Sequence, residues 1–260
     1  MILRAAAVAA TALLSSPALA GDAAALRVLG FSPDGTTFAF EQYTTLYEDE
    51  AAFSEYVFID TRRDVFLPGT PIKVFPRDDD GNDEKKAREQ AAAKAEPLIK
   101  EHRIGEPGTR QAGKPSMDLD EIGIYQMDPK PLAKRLAFTL PHGRKASLSV
   151  EQQPLGKAEC EGAGGRATKG KVAVAGLKLT LAFDGKSLVM QRDKALPAAR
   201  RCVSAYGIAQ ALVHTAPDDT PTVVAIIETV DNDGYHAGPN RRFMAVTVRL
   251  QPKYGRPPPK

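Results

Sequence analysis

The stretch Leu26–Tyr43, LRVLGFSPDGTTFAFEQY, decides the fold class. Two apolar runs flank Ser32-Pro33-Asp34-Gly35, which has the composition of a tight turn. Pro33 pre-sets φ for the second turn position, Asp34 can bond its own backbone, and Gly35 tolerates positive φ. The segment therefore reads as a β-hairpin. Phe38 and Phe40 share one face at the two-residue period of a strand, which places both in the core.

Upstream of the hairpin, residues 1–20 read as a signal peptide. Arg4 supplies the positive start, Ala5 to Leu14 the apolar run, and Ala18-Leu19-Ala20 an A-x-A cleavage signal. Cleavage is expected between Ala20 and Gly21, leaving an exported chain in the periplasm or outside the cell. The apolar run is too short to span a membrane, and no later stretch approaches the roughly 20 apolar residues that a spanning helix needs. The net charge is +3, or +2 without Arg4. A balance this close to neutral predicts no nucleic-acid partner.

Downstream, the pattern is β with one interruption. Tyr43 to Ser54 is polar and acidic and reads as an exposed loop. Glu55 to Asp60 is a strand with Val57 and Ile59 on one face and Tyr56 and Phe58 on the other, which suits a central position. Val65 to Phe75 is broken by Pro68-Gly69 and Pro71 and suits an edge. A helix near 83–103 follows an acidic cluster, with Ala87, Ala91, Ala95 and Leu98 on one face. Pro97 is expected to kink or divide it, and Gly105 to stop it. Glu106 to Pro115 reads as a loop.

Further strands are expected around Leu119 to Tyr125, at Leu136 to Leu140, at Ser147 to Gln152 and at Leu177 to Phe183, with Glu161 to Gly170 a glycine-rich connection. Phe183 to Met190 echoes the opening hairpin. Cys202 to His214 is ambiguous between helix and strand. Pro221 to Val230 and Phe243 to Leu250 are strands joined by Asp231-Asn232-Asp233-Gly234. Residues 252–260 read as a disordered proline-rich tail. The fold class is mainly β (α+β): an antiparallel sandwich or open barrel with one packed helix, forming a single domain over residues 21–251.

The residues carry few chemical signatures. There is no G-x-S-x-G elbow, no H-E-x-x-H, no phosphate-binding P-loop and no C-x-x-C. No cofactor is expected. Cys160 and Cys202, an even pair in an exported chain, suggest a structural disulfide. Asp78, Asp80, Asn82 and Glu89 match positions 1, 3, 5 and 12 of a calcium loop, but Asp83 stands where that loop requires Gly. An acidic helix cap explains them better. Asp231, Asp233 and His236 have the ligand types of a metal site, and a polar turn accounts for them equally. Arg241 and Arg242 are weak anion candidates. Gly162 to Gly165 precedes no helix and is a weak phosphate loop.

Several segments together resemble a known family: GFSPDGTTFAFEQY, VFIDTRRDVFLPGTP, the A-x-A-E-P-L-I helix, R-x-C-x-x-A-Y-G-I-A-x-A and GPNRRFMAV. They are similar to an uncharacterised family of predicted secreted proteins, a domain of unknown function from alphaproteobacteria. The resemblance covers essentially the whole mature chain and implies export, but brings no activity or site residue. FSPDGTTFAF is also similar to the strand-turn-strand of TolB-like propeller repeats, here without the repeat array. The expected function is a non-enzymatic binding or envelope-interaction module, using sheet edges or loops on an envelope protein or cell-wall component. A hydrolase with dispersed residues is the alternative; it predicts a pocket holding His142, His214 or His236 beside a carboxylate. A calcium- or metal-stabilised binding domain is a third.

Overall fold

The computed structural model of the chain describes residues 23–46, 51–76, 83–113, 132–159, 170–197, 200, 202–231 and 240–250. In chain order these form β1 (Ala25–Phe31), β2 (Thr37–Leu46), β3 (Ala51–Asp60), β4 (Val65–Phe66), β5 (Ile72–Val74), α1 (Glu84–Glu101), β6 (Thr109–Gly113), β7 (Arg135–Leu140), a 3-10 turn (Pro141–Gly143), β8 (Arg144–Ala158), β9 (Val172–Phe183), β10 (Lys186–Arg192), β11 (Val203–Thr215), β12 (Pro221–Asp231) and β13 (Asn240–Arg249). The strands make three antiparallel sheets. The first runs β1-β2-β3-β4 with β5 also on β3, the second β13-β12-β11-β6, and the third β10-β9-β8-β7. Among the described residues the fold is a mainly β sandwich with one α-helix, and none of the sheets closes into a barrel.

The core explains how the sheets stack. Phe38, Phe40, Val57 and Ile59 from the first sheet pack on Leu212, Val224, Ile226 and Phe243 from the second. Tyr206, Ile208, Val213, Val223 and Ile227, on the other face of that second sheet, pack on Leu148, Leu177, Leu179 and Leu181 of the third. The sheet of β11 and β12 is thus buried on both faces. This is why Cys202 to His214 is ambiguous in sequence: a strand apolar on both faces loses the two-residue alternation. Tyr56 and Phe58 turn outward under α1, whose Ala91 and Ala95 are fully buried against them, with Ala87 fully buried in the same stripe. Small side chains let the helix sit close to the sheet.

The opening hairpin forms as its composition dictates. Gly35 N–H donates to the Ser32 carbonyl (2.8 Å), and Gly35 takes a φ of 68°. The Ser32 hydroxyl donates to Asp34 (2.6 Å), and Asp34 accepts from Thr36 N–H (3.1 Å). Phe31, Phe38 and Phe40 are fully buried, with ring centroids 4.9 Å and 6.3 Å apart along the series.

Four expectations are corrected. Tyr43 to Ser54 is no exposed loop: β2 continues to Leu46 and β3 starts at Ala51, while Tyr43, Phe53 and Ser54 are buried. The polar residues are recruited by α1, whose Arg88 guanidinium lies 3.7 Å from the Tyr43 ring centroid. The helix stops before Gly105. Arg103 takes the left-handed conformation (φ 50°), and Ile104 N–H and Arg103 N–H donate back to the Ile99 and Lys100 carbonyls, closing a Schellman motif without glycine. Pro97 sits inside one uninterrupted helix. Residues 109–113, expected within a loop, form β6, because pairing with β11 satisfies a backbone whose side chains carry no pattern.

Residues 1–20, the Leu119 to Tyr125 strand, Gly162 to Gly165 and the tail 252–260 lie outside the described residues. No described helix is long and apolar enough to cross a membrane.

Candidate functional site

The tight turns of all three sheets gather at one pole. β1 ends at Phe31 and β11 at Thr215, and the two chains are locked there. The His214 ring stacks on Phe31 (5.0 Å between centroids, 18° between planes), and its Nε2–H donates to the Pro33 carbonyl (3.2 Å). The Gly35 carbonyl accepts from the Thr61 hydroxyl (2.6 Å) and the Thr222 hydroxyl (3.3 Å). Asp60, Asp34 and Asp218 serve as turn carboxylates at this pole. Burial raises the Asp34 pKa, but bonds from Ser32 and Thr36, with the charge of Arg249, outweigh it and hold the carboxyl below its ordinary range. Asp218 is lowered by the Thr220 hydroxyl and N–H, with Arg249 contributing.

At the same pole lies a cleft of about 550 Å³. One wall is the segment leading into β6, Glu106 to Thr109, with Gln111. The other is the end of β7, Thr139 and Leu140, with Pro141, and Val213 to Thr215 form the floor. β6 and β7 are each the last strand of their sheet. They run in opposite directions, and the cleft lies where the start of β6 and the end of β7 meet the end of β11. The Thr109, Gln111, Thr139 and Thr215 side chains have no hydrogen bond to any described residue. On the rim, His142 Nε2–H donates to Asp219 (3.3 Å), and both residues hold left-handed backbone, with φ of 62° and 61°. Both side chains are close to half-exposed. The pair joins the β7–β8 turn to the β11–β12 turn beside the cleft.

The structure places the other sequence candidates elsewhere. Of the calcium-loop set, Asp78, Asp80 and Asn82 lie outside the described residues, and Glu89 is an exposed helix residue paired with Lys85 (3.9 Å). Asp83 caps the helix by accepting from Lys86 N–H (3.0 Å). Asp231 is buried at the end of β12, and Asp233 and His236 lie outside the described residues. Arg241 pairs with Glu228 (2.7 Å), and the Arg242 guanidinium lies 4.9 Å from the Phe53 ring centroid. Cys202 is buried beside β11, and Cys160 lies outside the described residues. No group of three or more His, Cys, Asp or Glu side chains suited to a metal occurs among the described residues.

Sequence reasoning missed two features. One is the cleft, since its walls are a strand read as a loop and the end of a strand 30 residues later. The other is Glu41, fully buried beneath α1. It accepts from Arg88 Nε (3.0 Å) and the Ser54 hydroxyl (3.1 Å) and lies 3.5 Å from Arg27. The buried Tyr56 phenol is pushed up to about 12, by desolvation first and by the Glu41 charge second. An acidic residue on the helix-facing side of β2 and an arginine on the helix were the only available signals.

The fold and the site together define a β-sandwich protein with a polar cleft at its turn-bearing pole. The chain belongs to the family described as predicted secreted protein, DUF2259, whose model matches residues 39–249, from within β2 to the end of β13. No curated protein and no solved structure matches it.

Proposed function

We propose that this is a periplasmic binding module that holds an envelope component in the cleft between β6 and β7, without catalysis. The observation carrying the reading is the cleft's lining: Thr109, Gln111, Thr139 and Thr215 converge there with unused hydrogen-bonding capacity. His214, in the floor of the cleft, holds the fold instead, its Nε2–H spent on Pro33. A concave surface with a few convergent polar groups is the usual form of a binding site. The family description supports export. The proposal includes a signal peptide cleaved between Ala20 and Gly21, an alphaproteobacterial periplasm, one unit over residues 21–251 and a Cys160–Cys202 disulfide. The unit is supported by β11 and β12, which serve two cores at once.

The test is capture from periplasmic extract with wild type and with Thr139→Arg, followed by mass spectrometry. A component retained by the wild type and lost by a folded variant is expected. Equal capture by both overturns the cleft as the binding face.

A second reading rests on His142–Asp219. A histidine bonded to a carboxylate beside a cleft is the arrangement of a general base, and it supports the hydrolase alternative. That reading requires hydrolysis of an envelope substrate to fall by 100-fold or more in His142→Gln, on the order expected for loss of a general base. Unchanged turnover would remove it.

A further inference from the structure

We infer that the cleft takes an extended polypeptide segment, added as a strand to the free edge of β7. This rests on the binding reading above and names its ligand class. An unpaired strand edge presents a row of backbone N–H and C=O groups, and proteins ordinarily blunt such edges. Here the treatment of the edges differs from strand to strand. β13 is covered: Ala24 N–H donates to the Arg241 carbonyl (3.0 Å), and Gln42 bonds both the N–H and the carbonyl of Phe243 (2.8 and 3.2 Å). Asp64 accepts from Thr247 N–H (2.7 Å) further along the same strand. β10 carries an irregularity between Val189 and Gln191, of the kind that turns an edge away. The lower half of β6 is capped by Arg110, whose guanidinium donates to the Gly113 carbonyl (2.9 Å).

β7 has none of these devices among the described residues. Its register with β8 is unbroken from Arg135↔Ser149 to Leu140↔Arg144. No described side chain bonds its outer edge, and the end of that edge, Thr139 and Leu140, forms one wall of the cleft. The opposite wall supplies Thr109 and Gln111, hydroxyl and amide groups suited to a peptide's polar atoms. β7 is six residues long, roughly 20 Å of extended chain, so the segment it takes is about six residues. Backbone pairing supplies the affinity in this mode and alternate side chains supply the selectivity. The cleft's lining carries one carboxylate, Glu106, and no Lys or Arg, which argues against a strongly anionic ligand.

The test is selection of a displayed random nine-residue peptide library on the folded chain, with counter-selection on Thr139→Arg. Thermal melting of the variant shows that it is folded. Enrichment on the wild type alone is expected, and N-methylation of alternate peptide amides should weaken the selected sequences by about tenfold or more, through loss of the strand hydrogen bonds. Failure to enrich, equal binding to the variant, or indifference to N-methylation overturns the inference. Chitotriose is the parallel probe. If it binds the wild type and not the variant while peptides fail, the strand inference falls and the cleft reading stands. If neither peptides nor chitotriose distinguish the two proteins, the cleft reading loses its support as well.

Discussion

Replacing His214 tests whether the first hairpin is clamped to the central sheet. The imidazole is nearly buried, stacks on Phe31 at 5.0 Å and donates to the Pro33 carbonyl at 3.2 Å. Truncation to alanine removes an aromatic pair, about 0.5–1.5 kcal/mol beyond its area. It also removes a hydrogen bond whose net worth is about 0.5–1.5 kcal/mol, and it leaves a partial cavity. His214→Ala should therefore cost about 2–4 kcal/mol in urea denaturation, with an unchanged m-value. His214→Phe keeps the stack and loses the donor, so it should cost about 1–2 kcal/mol. Gly35 provides the cross-check. It holds a φ of 68°, and a Cβ there would stand 2.8 Å from His214 Cδ2. Gly35→Ala should then be clearly more costly in the wild type than in His214→Ala, where the backbone strain of roughly 1–2 kcal/mol and a 3.1 Å contact with the Thr222 hydroxyl remain. A cost for His214→Ala below about 0.5 kcal/mol, or no coupling to Gly35, would refute the clamp.

Three further outcomes are expected. Replacing Phe38 and Phe40 together with serine removes two fully buried rings, each worth about 3–5 kcal/mol, and should abolish cooperative unfolding by circular dichroism, since the sum approaches the whole stability of a domain. Arg88→Ala leaves the buried Glu41 carboxylate with the more exposed Arg27, and should cost about 2–4 kcal/mol by urea denaturation; Glu41→Gln in that background should recover part of it. The pH dependence runs in both directions. Tyr56 is raised to about 12, so its protonated form favours the fold; that contribution is complete below pH about 10 and is lost as pH rises through about 12, which ultraviolet titration alongside alkaline unfolding will show. Asp34, Asp60 and Asp218 are lowered, so their contribution is present above pH about 4 and is lost as pH falls below it.

The legible parts of the fold were those with a local cause. Ser32 to Gly35 carries its turn chemistry in four residues. Val57 and Ile59 against Tyr56 and Phe58 announce a strand covered on both sides, and the structure supplies the second sheet and α1 as the two covers. The alanine stripe marks a close-lying helix for the same reason. The illegible parts depend on partners distant in sequence. β6 exists because β11 pairs with it a hundred residues later; Tyr43 is covered by Arg88, and Ser54 bonds the Glu41 carboxylate that Arg88 also reaches. The helix stop moved to Arg103, where the Ile104–Ile99 contact supports a conformation that sequence rules assign to glycine. The cleft is the extreme case: its walls come from the ends of two sheets, and only the stacking of those sheets defines it.

The most direct measurement places a photo-crosslinking residue at Thr139, inside the cleft, and in a second protein at Lys94, on the exposed side of α1, both expressed for export. A crosslinked product formed from position 139 and absent from position 94, its site mapping to a short extended polypeptide segment of the partner, is the result predicted. Equal labelling from both positions, or labelling from Lys94 alone, would contradict the cleft as the recognition surface.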